Sequence, residues 1–191
     1  MTVDIINKAK HDVEGGKWDL DCEASEIAFS SRYGFVIPVR GCFTKWSAQV
    51  EVDEKNIEQS NVCVEIDAAS ISTGVAVRDK HLRTGHFFGV REFPVIRFQS
   101  FRCTLLAPDV LVLDGNLTIR GMTREIRLEA ERVTDSSNYQ YWSARARLDR
   151  YDYGVTMSQV AEGFGKMVGN DIDIELTATF VRRQPRAGDR R

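Results

Sequence analysis

At 191 residues the chain has the length of one domain, and a hydrophobic share of 42% with 28% charged residues excludes both wholesale disorder and a membrane-embedded class. Its 26 basic and 28 acidic side chains leave a formal net charge of -2, so there is no broad positive field for a nucleic-acid backbone to find. No apolar run approaches the ~18 residues that span a bilayer.

Residues 1–17 are polar and lack the apolar middle of a secretory signal, which predicts a cytoplasmic protein. Residues 1–16 are compatible with a short helix that the pair Gly15 and Gly16 ends, because glycine costs a helix most. A barrel-like domain is then expected over 17–181. Residues 182–191 are arginine-rich, carry Pro185 and Gly188 and show no apolar period, which predicts a disordered basic tail able to touch a membrane surface transiently.

The middle of the chain alternates. Ile27, Phe29 and Ser31 mark a first strand after Trp18; Val39, Gly41 and Phe43 mark a second that continues through Trp46 to Val52. Val62, Val64, Ile66 and Ala68 form the dry side of a third, opposed by Asn61, Glu65 and Asp67. From 75 to 88 the spacing of Val75, Leu82, Phe87 and Phe88 among charges suits a short helix or two lying across a barrel end as plug or lid.

Pro94 then opens a strand carrying Ile96, Phe98 and Ser100, since a first position loses no ladder donor. Residues 110–119 supply another. The clearest alternation follows: Ile126, Leu128 and Ala130; then Trp142, Ala144, Ala146 and Leu148; then Ile172, Ile174, Leu176, Ala178 and Phe180, each interleaved with polar residues. The total is about eight strands.

Eight one-sided strands bury their dry faces either in a filled sandwich or in a sheet closed on itself. The recurring small residues Ala130, Ala144, Ala146 and Ala178 leave room inside an eight-stranded barrel for one slender guest. Periodicity alone leaves a solid interaction module and a hollow carrier nearly tied.

No motif for chemistry competes. Cys22, Cys42, Cys63 and Cys103 form no C-x-x-C pair, so they read as buried thiols, with a Cys22–Cys42 bridge as the alternative. His81 and His86 are five apart, which is no helical metal face. Arg78 and Asp79 read as scaffolding, with Asp79 capping a helix and Arg78 holding a carboxylate. Gly163, Gly165 and Gly169 lack the dinucleotide spacing and read as a loop between the last two strands. There is no nucleophile elbow, so no enzyme is expected.

Several segments together are similar to the YceI-like family of isoprenoid-binding proteins. The stretch ISTGVAVRDKHLRTGHFFGV at 71–90 resembles its signature; Trp18, Asp21 and Ser25 match its opening strand; Val39, Arg40 and Gly41 before Phe43 its glycine-marked second strand. FPVIRFQS at 93–100 and DGNLTIRGMT at 114–123 resemble its proline-started strand and its most recognisable turn.

The resemblance implies an all-β fold: an extended eight-stranded antiparallel lipocalin-like β-barrel with a short helical insert. It also implies a homodimer, and a polyprenyl chain or isoprenoid quinone bound in the lumen as ligand, with no resident cofactor or metal. The expected ligand contacts are Phe29, Ile66, Phe87, Phe88, Phe98, Ile126, Leu128, Trp142, Ile174 and Leu176. Arg32, Arg97 and Tyr151 are candidates for a head group at the mouth.

Overall fold

The computed structural model describes residues 13–14, 18–33, 37–51, 53, 56–156 and 169–182. They build one eleven-stranded sheet. In chain order its strands are β1 (Val13–Glu14), β2 (Trp18–Tyr33), β3 (Ile37–Phe43), β4 (Trp46–Glu51), β5 (Asn61–Asp67) and β6 (Ile71–Ser72). After the helix α1 (Ala76–Leu82) come β7 (Val95–Ala107), β8 (Val110–Ile119), β9 (Met122–Asp135), β10 (Tyr139–Asp149) and β11 (Asp171–Arg182).

The spatial order is β1-β4-β5-β7-β8-β9-β10-β11-β2-β3-β6. Every pair is antiparallel except β1 against β4. The sheet curls until β3 and β4 meet at a corner, where Thr44 donates its amide to the Ser70 carbonyl (3.2 Å) and Asp67 donates to that of Lys45 (3.0 Å).

Four expectations are corrected. The strand expected to run from Val39 to Val52 breaks at Thr44 and Lys45, and its halves join opposite margins of the sheet. With that break and the two-residue strands β1 and β6, eight strands become eleven. The lipocalin-like class holds, but the barrel is curled rather than closed by a continuous ladder, because among the described residues β1 and β6 do not pair. Val13 and Glu14, expected within a helix, form the short strand β1; the rest of that expected helix lies outside the described residues. Arg182, expected in the tail, ends β11, and 183–191 lie outside.

Strand β9 reads as its sequence requires: Ile126, Leu128 and Ala130 are buried while Glu125, Arg127, Glu129 and Glu131 are exposed. Outside, charges pair across strands, as in Arg127 with Asp114 (2.8 Å) and Arg147 with Asp173 (2.6 Å). Exposed pairs of this kind fix register more than they add stability.

Two local devices set the curvature. In β2, Asp21 Oδ1 accepts the amides of Glu23 (3.0 Å) and Ala24 (3.1 Å), and Ser25 Oγ accepts that of Thr179 (2.9 Å). The chain thereby swells by a few residues while β11 shifts register between Thr177 and Thr179. Between β8 and β9, Arg120 (φ 52°) and Gly121 (φ 72°) both take left-handed conformations, as a two-residue hairpin turn needs. Arg120 Nη1 reaches from that turn to the Gly85 carbonyl (2.8 Å) and to that of Phe87, tying the helical insert to the barrel end.

At Gly115 the backbone of β8 lies under the Phe98 ring, and a Cβ there would fall 2.4 Å from a ring carbon. Gly115→Ala is therefore expected to displace Phe98 and destabilise the fold by about 1–3 kcal/mol, read as a lowered urea midpoint with an unchanged slope.

Candidate functional site

The inward faces of the strands enclose a cavity of about 1000 Å³, at the top of the ~300–1,000 Å³ range of small-molecule pockets. It exists because some inward side chains are short. Ala144 pairs in register with Ala130 on one side and Leu176 on the other, and Ala178 pairs with Trp142. Where two alanines face the interior together, the wall cannot reach across the lumen.

Burial changes accordingly around the barrel. Ile96, Phe98, Leu117, Ile119, Ile126 and Leu128 are buried and pack with Ile71 and Tyr153 into a dense core towards the helical end. Trp142, Ala144, Ile174 and Leu176 also point inward but are only half-buried. Both sets line the one cavity, which is packed more densely on the first side than on the second.

All ten residues singled out from sequence lie on the cavity wall: Phe29, Ile66, Phe87, Phe88, Phe98, Ile126, Leu128, Trp142, Ile174 and Leu176. Their positions differ in kind. Phe29 and Phe88 both pack on Phe43, at centroid distances of 5.6 and 5.9 Å, and Phe87 meets the His81 ring at 4.9 Å, which closes the helical end in aromatic contacts. Trp142 stands towards the opposite end, where its Nε1 donates to Gln140 (3.3 Å) and the Arg132 guanidinium lies 5.7 Å from its ring centre. Along β11 the wall runs from Ile172 to Phe180, eight residue steps or about 27 Å of strand at ~3.4 Å per residue. That is a tunnel's dimension.

Of the three mouth candidates only Arg32 borders the cavity. Arg97 is turned outward into an ion pair with Glu65, and Tyr151 is half exposed and accepts from Arg150 Nη2 at 3.2 Å. Sequence reading missed several polar wall residues, among them Arg78, His81, Arg132 and Arg150. Arg150 is 5% exposed and donates to the carbonyls of Val155 (2.8 Å) and Gly169 (3.2 Å). One signal was available: Arg150 follows directly on the last alternating residue of β10, where an inward side chain need no longer be apolar.

The Arg78 and Asp79 pair is scaffolding, but with other partners than expected. Asp79 lies within α1 and accepts the amide of Thr73 (2.9 Å) and its hydroxyl, while Arg78 donates to Thr73 Oγ1 (2.7 Å) and O (2.9 Å) instead of to a carboxylate. Gly163 and Gly165 lie outside the described residues; Gly169 donates to the Arg32 carbonyl at 2.7 Å. Among the described residues, no three His, Cys, Asp or Glu side chains gather as a metal site would require.

No disulfide joins the four cysteines, so the Cys22–Cys42 bridge is not formed. Cys103 is buried; Cys22, Cys42 and Cys63 are half-buried. Burial, and secondarily the charge of Asp21, pushes the Cys22 thiol from 9.0 up to about 11, and burial likewise raises Cys63 and Cys103. A thiol raised in the folded state is protonated, and its contribution to stability is full below pH 9 and lost as pH climbs towards 11. Alkylation of Cys22 by iodoacetamide, followed by peptide mass spectrometry, is therefore expected to be slow at about pH 8 and to reach half its limiting rate only near pH 11. A midpoint at 9.0 in the folded protein would contradict this.

Comparison with known proteins places these features. The model of the YceI-like domain matches residues 18–180. A UPF0312 protein of Staphylococcus aureus strain N315 is 30% identical over 162 residues, covering 82% of this chain and 92% of its own length. Among solved structures, BcnA of Burkholderia cenocepacia superposes with a TM-score of 0.76 at 20% identity, over 84% of this chain and 99% of its own. A polyisoprenoid binding domain from Saccharophagus degradans gives 0.62 at 16% identity, over 87% and 98%. Likenesses at that identity establish the common fold.

Proposed function

Since the chain belongs to the YceI-like domain family, we propose that its lumen binds one long isoprenoid lipid, a polyprenyl chain or an isoprenoid quinone, and carries or stores it without chemistry. The observation that carries this reading is the apolar tunnel of about 1000 Å³ left by the paired alanines of β9 and β10. A slender, long-chain apolar guest suits an elongated, dry channel better than a compact polar substrate does. The polyisoprenoid-binding function of the Saccharophagus degradans domain, which shares the fold, supports the same ligand class.

Energetics favour exchange over capture. Burying ~20 methylene groups is worth ~16 kcal/mol against water at ~0.8 kcal/mol each, but a bilayer offers nearly the same environment. Transfer between membrane and lumen is then close to balanced, which suits a carrier that meets membranes transiently. We place the protein in the cytoplasm; four cysteines kept as thiols suit a reducing compartment. A homodimer is proposed on the family resemblance.

Native mass spectrometry of protein expressed in its own host is expected to find one lipid of defined mass per protomer, released by organic extraction. Ala144→Trp, which fills the lumen where Ala130 and Leu176 flank it, should abolish retention while the far-ultraviolet β signal persists. Protein isolated with no lipid at stoichiometric level, and refusing added polyprenols, would leave a solid interaction module as the better reading.

A further inference from the structure

The cavity wall is apolar over most of its extent, yet the charged side chains that border it are nearly all cationic: Arg32, Arg78, Arg132 and Arg150, against Glu26 alone among the described residues. The cations are not equivalent. Arg132, towards the end marked by Trp142, is neutralised by the protein itself through ion pairs with Asp109 and with Asp135 (3.1 Å). Towards the helical end, Arg32 and Arg78 make no ion pair among the described residues.

Arg78 makes no direct ion pair among the described residues, its link to Asp79 running through the Thr73 hydroxyl. Its Nε donates to Thr73 Oγ1 (2.7 Å) and its Nη2 to Thr73 O (2.9 Å), both uncharged acceptors, which uses two of the five N–H donors of a guanidinium. The adjacent carboxylate of Asp79 is buried and occupied by the Thr73 amide and hydroxyl. Thr73 in turn lies against β3, where a Cβ on Gly41 would come within 2.9 Å of its methyl group.

Gly41 pairs with Phe29, and the next inward pair along the same ladder is Val39 with Ser31. The Ser31 hydroxyl borders the cavity, is buried, and has no hydrogen-bond partner among the described residues. Arg32 follows it directly, at the rim. A buried hydroxyl without a partner is costly, and an acceptor on a bound ligand removes that cost. The wall therefore offers an orphan hydroxyl and the Arg32 guanidinium at the end of β2, and Arg78 held on Thr73, which lies against β3 at Gly41.

We propose that Ser31, Arg32 and Arg78 form a subsite for an acidic head, so that the ligand is a single-chain amphiphile ending in phosphate or carboxylate, with its tail running along β10 and β11 towards Trp142 and Phe180. This rests on the lumen-binding reading above and narrows it: a neutral quinone ring would leave both cations unanswered. Charge-assisted hydrogen bonds from a partly dehydrated guanidinium fork are the strong ones, and they would select among tails that the apolar wall accepts alike.

The test uses the full chain and displacement of the neutral dye N-phenyl-1-naphthylamine by four probes: geranylgeranyl monophosphate, geranylgeraniol, palmitate and hexadecanol. Each acid is expected to bind roughly tenfold or more tighter than the alcohol of matching tail at about 50 mM salt, with the gap narrowing at about 500 mM. Phosphate or palmitate as the tighter acid tells which head is preferred. Arg78→Gln and Arg32→Gln should each shrink the acid-to-alcohol ratio several-fold, and Arg32→Lys should keep most of it. Arg32 is exposed, so its variants report even where Arg78→Gln disturbs Thr73 and fails to fold. Alcohols binding as tightly as acids, or a ratio unmoved in Arg32→Gln, would overturn the head subsite alone. A protein that takes up neither the dye nor any probe would overturn the lumen-binding reading with it.

Discussion

Everything in this molecule depends on side-chain length along the inward rows of β9, β10 and β11. Backbone hydrogen bonding curls the sheet, but it does not decide whether the enclosed space is filled. Ala130 opposite Ala144, and Ala178 opposite Trp142, leave the sheet's own side chains short of the far wall, whereas Phe98 over Gly115 and Ile126 beside it line the same cavity from a more densely packed stretch. The same alternation therefore serves both packing and binding along one continuous wall.

This division explains the close approach at Gly115 and the aromatic contacts at the helical end. A barrel with a hollow interior forgoes part of the burial that a solid one would have, so its packed portion has to be dense. Tyr153 and Ile71 are among its most completely buried side chains, and both sit where the one-turn helix after β10 and the insert before β7 cover the barrel end. Arg120 pins that insert through the Gly85 and Phe87 carbonyls, so the lid carrying Phe87 and Phe88 is part of the fold's stable portion.

How far the sequence reveals this follows from the same physics. Ile126, Leu128 and Ala130 were legible because β9 has a dry and a wet face, and β10 and β11 were legible from the same alternation. The break between β3 and β4 was not, because Thr44 and Lys45 carry no glycine or proline and the corner is made by distant carbonyls. Strands β1 and β6 have two residues each, too few to display a period. The apolar wall could be read from parity alone, and even Ser31 could be placed on the inward row with Phe29. Arg78 and Arg150 could not, because a charge in a sequence reads as outward-facing unless something shows which oxygens receive it.

Those buried and rim-placed cations matter more than their number suggests. An apolar tunnel distinguishes poorly between one long chain and another, since each methylene added or removed changes affinity by under a factor of ten and the membrane compensates most of it. Selectivity in such a protein must come from the few places where the wall is polar, and their worth is raised by the low-dielectric surroundings that make an unanswered donor costly. The protein neutralises the cation at one end with its own aspartates and leaves Arg78, on the insert, to the uncharged oxygens of Thr73. That asymmetry gives the tunnel a direction, and a tunnel with a direction can hand over its cargo head first or tail first, but not indifferently.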